Sequence, residues 1–397
     1  MERIVLVIYR KDRSGGEISQ LGYGCMRFTK KGTAIDFDKA ESEVLHAVEG
    51  GVNYFDTAYI YPGSEECLGR IIEKNGLRDK IKIATKLPQY LMRSASGIEK
   101  TFRTELERLR TDYIDYYLMH MFTDVSEWEN LKRLGIEDWI AEKKAEGSIK
   151  NIGFSFHSDI SVFREILDSY DWDFCMIQYN YLDEHIQAGR EGLHAAAEKG
   201  IPVIIMEPLR GGKLVNIPEK AKKILSEKSG YTPAELGLRW LWDQSEVTCV
   251  LSGMNSTEMI DENIRIASDA VPGQFTDSDF ELVGEIKEII RESEKVGCTG
   301  CGYCMPCPKG IDIPGYFHYY NLMYIDKKGS ARFEFSRAIA MRKDPAFASK
   351  CIGCGKCEKH CPQHIKIRDM IKKADRELRP LPYKIGVWVA KRVMIGR

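Results

Sequence analysis

Eight of the twelve cysteines crowd into two short runs. The first is Cys298, Cys301, Cys304 and Cys307, followed by Pro308. The second is Cys351, Cys354, Cys357 and Cys361, followed by Pro362. Thiols packed this densely read as metal ligands rather than as a secreted disulfide scaffold. Structural zinc also uses Cys-x₂-Cys pairs, but it usually separates them by a long loop. Gly300, Gly302, Gly353 and Gly355 would relieve crowding in loops this tight. A second constellation lies earlier in the chain. Asp56, Lys86 and His120 close three successive β-like runs, and Tyr61 follows shortly after Asp56. A lysine at the end of an apolar run needs a partner if it is buried, and Asp56 is available. A free tyrosine has a pKa of about 10, and a nearby cation favours its phenolate. Any one of these residues alone reads as a structural ion pair or a satisfied core histidine. Four at strand ends and an adjoining loop are harder to dismiss.

The elements that must position these groups are legible as an alternation. β-branched and aromatic runs fall at Ser19–Cys25, Gly51–Thr57, Ile81–Lys86, Ile114–His120, Ile149–Phe156, Phe174–Asn180, Pro202–Glu207 and Thr248–Gly253. Segments with helical spacing lie between them; Asp38–Gly50 puts Ala40, Val44, Ala47 and Val48 on one face. Ser96 with Glu99 fits a capping box, and Thr232, Pro233 and Glu235 fit a cap, a first-turn proline and a box acid. Eight strand–helix pairs predict a (β/α)₈ TIM barrel, an α/β fold with catalytic groups at the C-terminal strand ends. The rival is a doubly wound sheet, and no Gly-x-Gly-x-x-Gly follows the first strand. Met1–Glu17 is expected to form a hairpin turning at Arg13–Gly16, and Leu282–Lys295 a helix leading out of the barrel. The predicted domains are residues 1–280, the barrel with its hairpin, and 281–397, the cysteine-rich module with its tail.

Composition bounds the partners. The formal net charge is −1 over 397 residues, so neither nucleic acid nor a membrane surface is an expected partner. No segment approaches the roughly 18 apolar residues of a membrane span. The short apolar run Ile4–Ile8 makes a poor signal peptide, and the expected compartment is the cytoplasm. The tail, Arg379–Arg397, mixes apolar and basic residues; it reads as a segment docked on its own domain, with a membrane or partner anchor as the alternative. Cys25, Cys67, Cys175 and Cys249 stand alone as small buried hydrophobes.

The second cysteine run resembles the Cys-x₂-Cys-x₂-Cys-x₃-Cys-Pro pattern of bacterial ferredoxins, and the first is one residue shorter before its last cysteine. The resemblance implies two 4Fe-4S clusters with crossed fourth ligands. Cys298, Cys301, Cys304 and Cys361 would hold one, and Cys351, Cys354, Cys357 and Cys307 the other. Helically spaced apolar and aromatic residues from Tyr316 to Met341 are similar to those of a helical ferredoxin domain.

Leu21–Ala267 resembles the aldo-keto reductases. The likeness runs through Gly22–Met26, Asn53–Tyr61 (Asn-Tyr-Phe-Asp-Thr-Ala-Tyr-Ile-Tyr), Ala84–Lys86, Leu118–His120, Gly153–Ser155, Gln178–Asn180, Met206–Lys213 (Met-Glu-Pro-Leu-Arg-Gly-Gly-Lys) and Glu262–Asn263. It implies a catalytic tetrad of Asp56, Tyr61, Lys86 and His120, a small carbonyl or alcohol substrate, and NADP or NAD as hydride carrier. It also implies cofactor contacts. Gly24, Cys25 and Met26 would lie at the first strand end. Ser155 and Gln178 would meet the carboxamide, and Met206 the nicotinamide ring. Glu207, Leu209, Gly211 and Lys213 would follow the pyrophosphate. Gly253, Asn255, Glu262 and Asn263 would meet the adenosine end. Positions that commonly meet the 2′-phosphate hold Gly253 and Met259, which leaves NADH and NADPH both open. Phe156 replaces the usual Asn after Ser155.

Three functions fit this pairing. The barrel could reduce carbonyls while the clusters exchange electrons with an external carrier such as a ferredoxin. The clusters could instead be a structural or partner-docking module. Or the whole chain could be an electron-transfer or redox-sensing protein without carbonyl chemistry. Nicotinamide moves two electrons as hydride and a cubane moves one. Coupling them normally takes a flavin or a radical-stabilising substrate, and flavin stays open although no flavin motif is evident. Specificity would come from Met121–Ile136 and from the cluster domain. Trp128, Trp139 and His157 stand near the site in sequence, with packing or a loop hydrogen bond as their plainer roles.

Overall fold

The computed structural model describes residues 6–158, 160–185, 187–325, 328–340 and 345–387. By packing, the chain divides into two units. One is Met1–Leu209 with Ala234–Asp277; the other is Arg210–Pro233 with Ser278–Arg397. This division differs from a single cut near residue 280, because a stretch after the seventh strand packs with the cysteine-rich residues.

In the first unit eight parallel strands close a barrel in sequence order: β1 (Leu21–Gly24), β2 (Tyr54–Asp56), β3 (Lys82–Leu87), β4 (Ile114–Phe122), β5 (Ile149–Phe156), β6 (Phe174–Gln178), β7 (Val203–Met206) and β8 (Val247–Ser252). All eight expected strands are present, with ends displaced by a few residues. Register aligns Gly24 with Asp56, Asp56 with Ala84, Lys86 with Leu118 and Gln178 with Met206. Lys86 thus lies two residues past the partner of Asp56, and His120 two residues past the partner of Lys86. Below them the barrel is filled by Tyr54, Tyr116, Phe174, Met176 and Leu251, with Ile18 closing the lower end. Gly153 is required by this packing, since a Cβ there would meet the Phe174 carbonyl oxygen at 2.5 Å.

A hairpin of Tyr9–Lys11 with Glu17–Ser19 precedes the barrel, as expected. Its turn is organised by Asp12, whose carboxylate accepts from the amides of Ser14 and Gly16 and from the Tyr116 hydroxyl at 2.6 Å. The helix Phe37–Glu49 buries Ala40, Val44 and Ala47, three of the four residues assigned to its inner face. The expected Ser96–Glu99 capping box is absent. Ser94 caps the helix Ala95–Leu109 by accepting from the Gly97 amide, and Glu99 holds Arg103 and the Trp139 indole instead. Glu235, in the first turn of the helix Pro233–Trp242, pairs with Arg239 and Arg265. A capping box does form at Asp124 and Glu127.

The second unit is helical. Ile313–Ile325 packs against Lys328–Phe335 and against Ile367–Leu378, and Asp277–Ser293 precedes the first cysteine run. Its core gathers Phe317, Phe335 and Ile371, each buried; such a side chain stabilises by about 1.5–3 kcal/mol. Cys298 belongs to this core, and Cys304, Cys307, Cys351, Cys357 and Cys361 pack on it. Among the described residues no helix is long and apolar enough to cross a membrane. The end of the tail, from residue 388, lies outside the described residues, as do Ile4 and the Met341 end of the helical stretch.

Candidate active site and cysteine rings

The Lys86 ammonium, buried at the end of β3, donates to both oxygens of Asp56 at 2.6 and 2.7 Å and to the Thr57 carbonyl at 2.6 Å. Its three protons are thereby matched to three acceptors, which fixes its position. It lies 5.2 Å from the centroid of the Tyr61 ring. The His120 ring meets that of Tyr61 edge-on, with centroids 6.2 Å apart. The structure thus brings the four predicted residues together from two strand ends, a loop and a third strand.

Their electrostatics follow from burial. Desolvation lifts the Asp56 carboxyl above the usual carboxylate range, and the Lys86 ammonium pulls the other way. Burial, then the Lys86 cation and His157, hold the His120 imidazole well below its ordinary pKa, so it is neutral. The His120 Nδ1 is buried and has no partner among the described residues. An orphaned polar atom in a catalytic cleft is suited to a ligand's hydrogen bond.

The residues expected to hold the nicotinamide sit on the adjoining strand ends. Ser155 is the penultimate residue of β5, Gln178 ends β6 and Met206 ends β7, with the Met206 side chain packed on the barrel interior. The Ser155 hydroxyl accepts from the Met121 amide at 2.7 Å. Gln178 is held from both sides: its oxygen accepts from Gln187 at 2.9 Å, and its amide donates to Asp183 at 3.3 Å. Gln187 in turn meets His157 at 3.2 Å, so His157 serves a loop hydrogen bond next to this site. Burial pushes the His157 imidazole down to about 4. Asn180 donates to Asp183 and to the Glu207 carbonyl. Sequence reasoning did not identify Gln187 or Asp183 as supports, although Asp183 three residues after Asn180 signals a local turn.

Met121, the penultimate residue of β4, and Glu207, just past β7, adopt φ of 61° and 53°, and Arg210 adopts 47°. Left-handed backbone at a non-glycine costs on the order of 1–3 kcal/mol and concentrates at functional sites. Among the residues expected to meet the adenosine, Asn263 donates to the Ser252 hydroxyl at 2.8 Å, and the Arg27 stem lies across Gly253. Asn255 and Glu262 are half-buried nearby in sequence. Gly24 is half-buried, Cys25 buried and Met26 exposed. Trp128 packs with Phe122, Tyr170 and Trp172, and Trp139 with Phe102 and Tyr117, so neither is a pocket residue by these contacts.

Gly211 and Lys213 belong to the second unit. The Arg210 guanidinium pairs with both oxygens of Glu294, at 3.0 and 2.9 Å, and the Lys213 ammonium donates to the Cys298 carbonyl. Asn321 accepts from the amides of Lys295 and Val296 and donates to the Val296 carbonyl. The segment leading into the first cysteine run is therefore clamped by three side chains.

The eight cysteines line two cavities. One, of about 310 Å³, is lined by Cys298, Cys301, Cys304 and Cys361. The other, of about 470 Å³, is lined by Cys307, Cys351, Cys354 and Cys357, with Cys304 at its edge. Each ring takes its fourth thiol from the opposite run. The Cys304 thiol is pushed up by burial and then by Cys298, Cys301 and Cys361, which are close enough to act on it. Gly300, Gly302, Gly353 and Gly355 all have φ between 70° and 83°, so the two loops turn alike. A mononuclear zinc draws thiolates to about 2.3 Å from one centre. Among the described residues no three His, Cys, Asp or Glu converge in that way. Thiols ringing a wider cavity suit a cluster that offers a separate iron to each.

Two family models match the two parts of the chain. The model of the aldo/keto reductase family matches residues 20–288, and that of a 4Fe-4S dicluster domain matches residues 297–365. The chain is 31% identical over 236 residues to an aldo-keto reductase of Mycolicibacterium vanbaalenii, covering 57% of this chain and 77% of that protein. The uncharacterized oxidoreductase YqkF of Bacillus subtilis is 28% identical over 64% of this chain and 88% of its own. Among solved structures, the holo form of aldo-keto reductase AKR11C1 from Bacillus halodurans matches with a TM-score of 0.58 and 26% identity, covering 70% of this chain and 96% of that one.

Proposed function

Because this chain belongs to the aldo/keto reductase family, and is an oxidoreductase fused to a 4Fe-4S dicluster domain, we propose that it interconverts a small carbonyl and its alcohol, with Tyr61 as the proton donor. The observation that carries this reading is the buried Lys86–Asp56 pair lying against the Tyr61 ring. A bound NADP or NAD would supply the hydride. Ser155, Gln178 and Met206 would hold its nicotinamide end, and the supports of Gln178 fix that side chain in advance.

Charge develops on the carbonyl oxygen as hydride arrives at carbon. Tyr61 donates its phenolic proton to that oxygen. The Lys86 ammonium stabilises the phenolate left behind, and Asp56 holds the ammonium in place. His120, neutral and with Nδ1 unengaged, orients the oxygen by a hydrogen bond. In reverse, the same phenolate takes the alcohol proton.

The cysteine rings would hold two clusters, Cys298, Cys301, Cys304 and Cys361 around one and Cys307, Cys351, Cys354 and Cys357 around the other. Such clusters supply one-electron redox capacity when bound. An external one-electron carrier is the partner this implies. A structural role for the first cluster has its own support, because Cys298 lies within the apolar core of the second unit.

The test is Tyr61→Phe, assayed anaerobically against a carbonyl panel with NADH and NADPH. Carbonyl reduction should drop by about 10²–10⁴-fold, while nucleotide binding, followed by fluorescence, persists. Turnover retained in this variant sinks the assignment.

A further inference from the structure

The two cysteine rings differ in what surrounds them. The first cavity is walled by Thr299, Pro314, Phe317, Pro362, Gln363 and Ile365 among others, and carries no charged residue. The second is lined by three cations, Lys309, Lys356 and Arg368. Cys354 is exposed, whereas Cys298 is buried. Ile352, beside Cys351, is 61% exposed, and Met305 is exposed on the first run.

The charge is local. From residue 350 to 368 the chain carries Lys350, Lys356, Lys359, Lys366 and Arg368 against a single acid, Glu358, although the whole chain is near neutral. Glu358 is taken up by Arg368 at 2.7 Å. The four lysines are exposed. A small apolar centre with a cationic surround is the composition of a steered, transient protein contact.

We propose that the face around the second ring is the docking surface for an acidic protein that carries a one-electron redox centre. This rests on reading the eight cysteines as cluster ligands, and it adds the face and the partner's charge. A one-electron carrier must approach the cluster it serves, and only the second ring combines an exposed cysteine with a cationic lining. An acidic partner gains electrostatic steering there, while a basic one is repelled. The apolar residues Ile352 and Met305 then exclude water at the centre of the contact.

The experiment uses the full chain, reconstituted anaerobically, with an acidic plant-type 2Fe–2S ferredoxin as probe in biolayer interferometry. Binding should weaken about tenfold or more as salt rises from about 50 to 200 mM. A Lys350→Glu/Lys359→Glu/Lys366→Glu variant should lose about tenfold or more in affinity. Its iron content, visible absorbance and NADPH fluorescence quenching should match the parent's, which shows that the fold and both other sites survive. Unchanged affinity in that variant overturns the proposal. So does equal binding of a basic cytochrome c, or duplex DNA bound as tightly and with the same dependence on the lysines. A fully loaded protein that ignores the ferredoxin overturns docking alone. A protein that takes up no iron on reconstitution overturns the ligand reading, and this proposal with it.

Discussion

The barrel site and the cysteine rings assemble reactive groups in opposite ways. Asp56, Lys86 and His120 come from strands far apart in sequence, and closure of the barrel makes those strands neighbours. The protein itself satisfies the ammonium with two carboxylate oxygens and a carbonyl. The cysteines come from two local loops turned by glycines, and they surround space rather than one another. The first site is organised before any ligand arrives. We expect the second to depend on what it encloses, as metal-coupled folds do.

The widest break between them should come from stripping iron. Anaerobic chelation is expected to erase hydrogen-exchange protection across the helices Ile313–Ile325 and Ile367–Leu378, while β2, β3 and β4 keep theirs. Protection lost in the strands as well, or retained in the helices, breaks the contrast. Next in size is Asp56→Asn. It leaves a buried ammonium short of its counter-charge and should cost about 3–5 kcal/mol in denaturant unfolding. Adding Lys86→Met should recover part of that loss; a purely additive double variant would mean that the pair is not coupled.

A smaller effect is pH-dependent. The unfolded His157 takes up a proton near pH 6.5, whereas the folded one resists until about 4. The unfolded state thus binds more protons in that window, and stability falls as pH drops from about 6.5 toward 4, by up to roughly 3 kcal/mol. His157→Asn should flatten this slope in chemical denaturation, and an unaltered slope would put its origin elsewhere. Smallest is Ser94→Ala, which removes the helix cap and should cost about 1 kcal/mol. Ser96→Ala serves as its control and should cost less.

Much of this was legible because it is carried by spacing. Periodicity marks eight strands with Asp56, Lys86 and His120 near their ends, and the resemblance to the aldo-keto reductases implies the tetrad that adds Tyr61. The paired cysteine pattern marks the rings, and the resemblance to ferredoxins implies a crossed fourth ligand; each of the two cavities is lined by cysteines of both runs. What escaped depends on contacts remote in sequence. Ser96 and Glu99 have capping-box spacing, but Trp139 and Arg103 claim Glu99, so Ser94 caps the helix. The support of Gln178 by Gln187 arises only where a loop folds back over a strand end. Glu105 lies on a helix that reads as amphipathic, yet it is fully buried against Tyr117. Arg210 reads as part of a loop; its pairing with Glu294 spans 84 residues.

The placement of Arg210–Pro233 with the cysteine-rich residues bears on how this molecule can be taken apart. The chain passes between the two units three times, after Leu209, after Pro233 and after Asp277. One scission cannot separate them. Truncation at residue 277 would strip Arg210 of Glu294 and Lys213 of the Cys298 carbonyl, and leave 24 residues of barrel connection without the surface they fold on. A free-standing barrel would need a new, shorter splice between Leu209 and Ala234. In that sense the module is woven into the enzyme's thread rather than appended to its end.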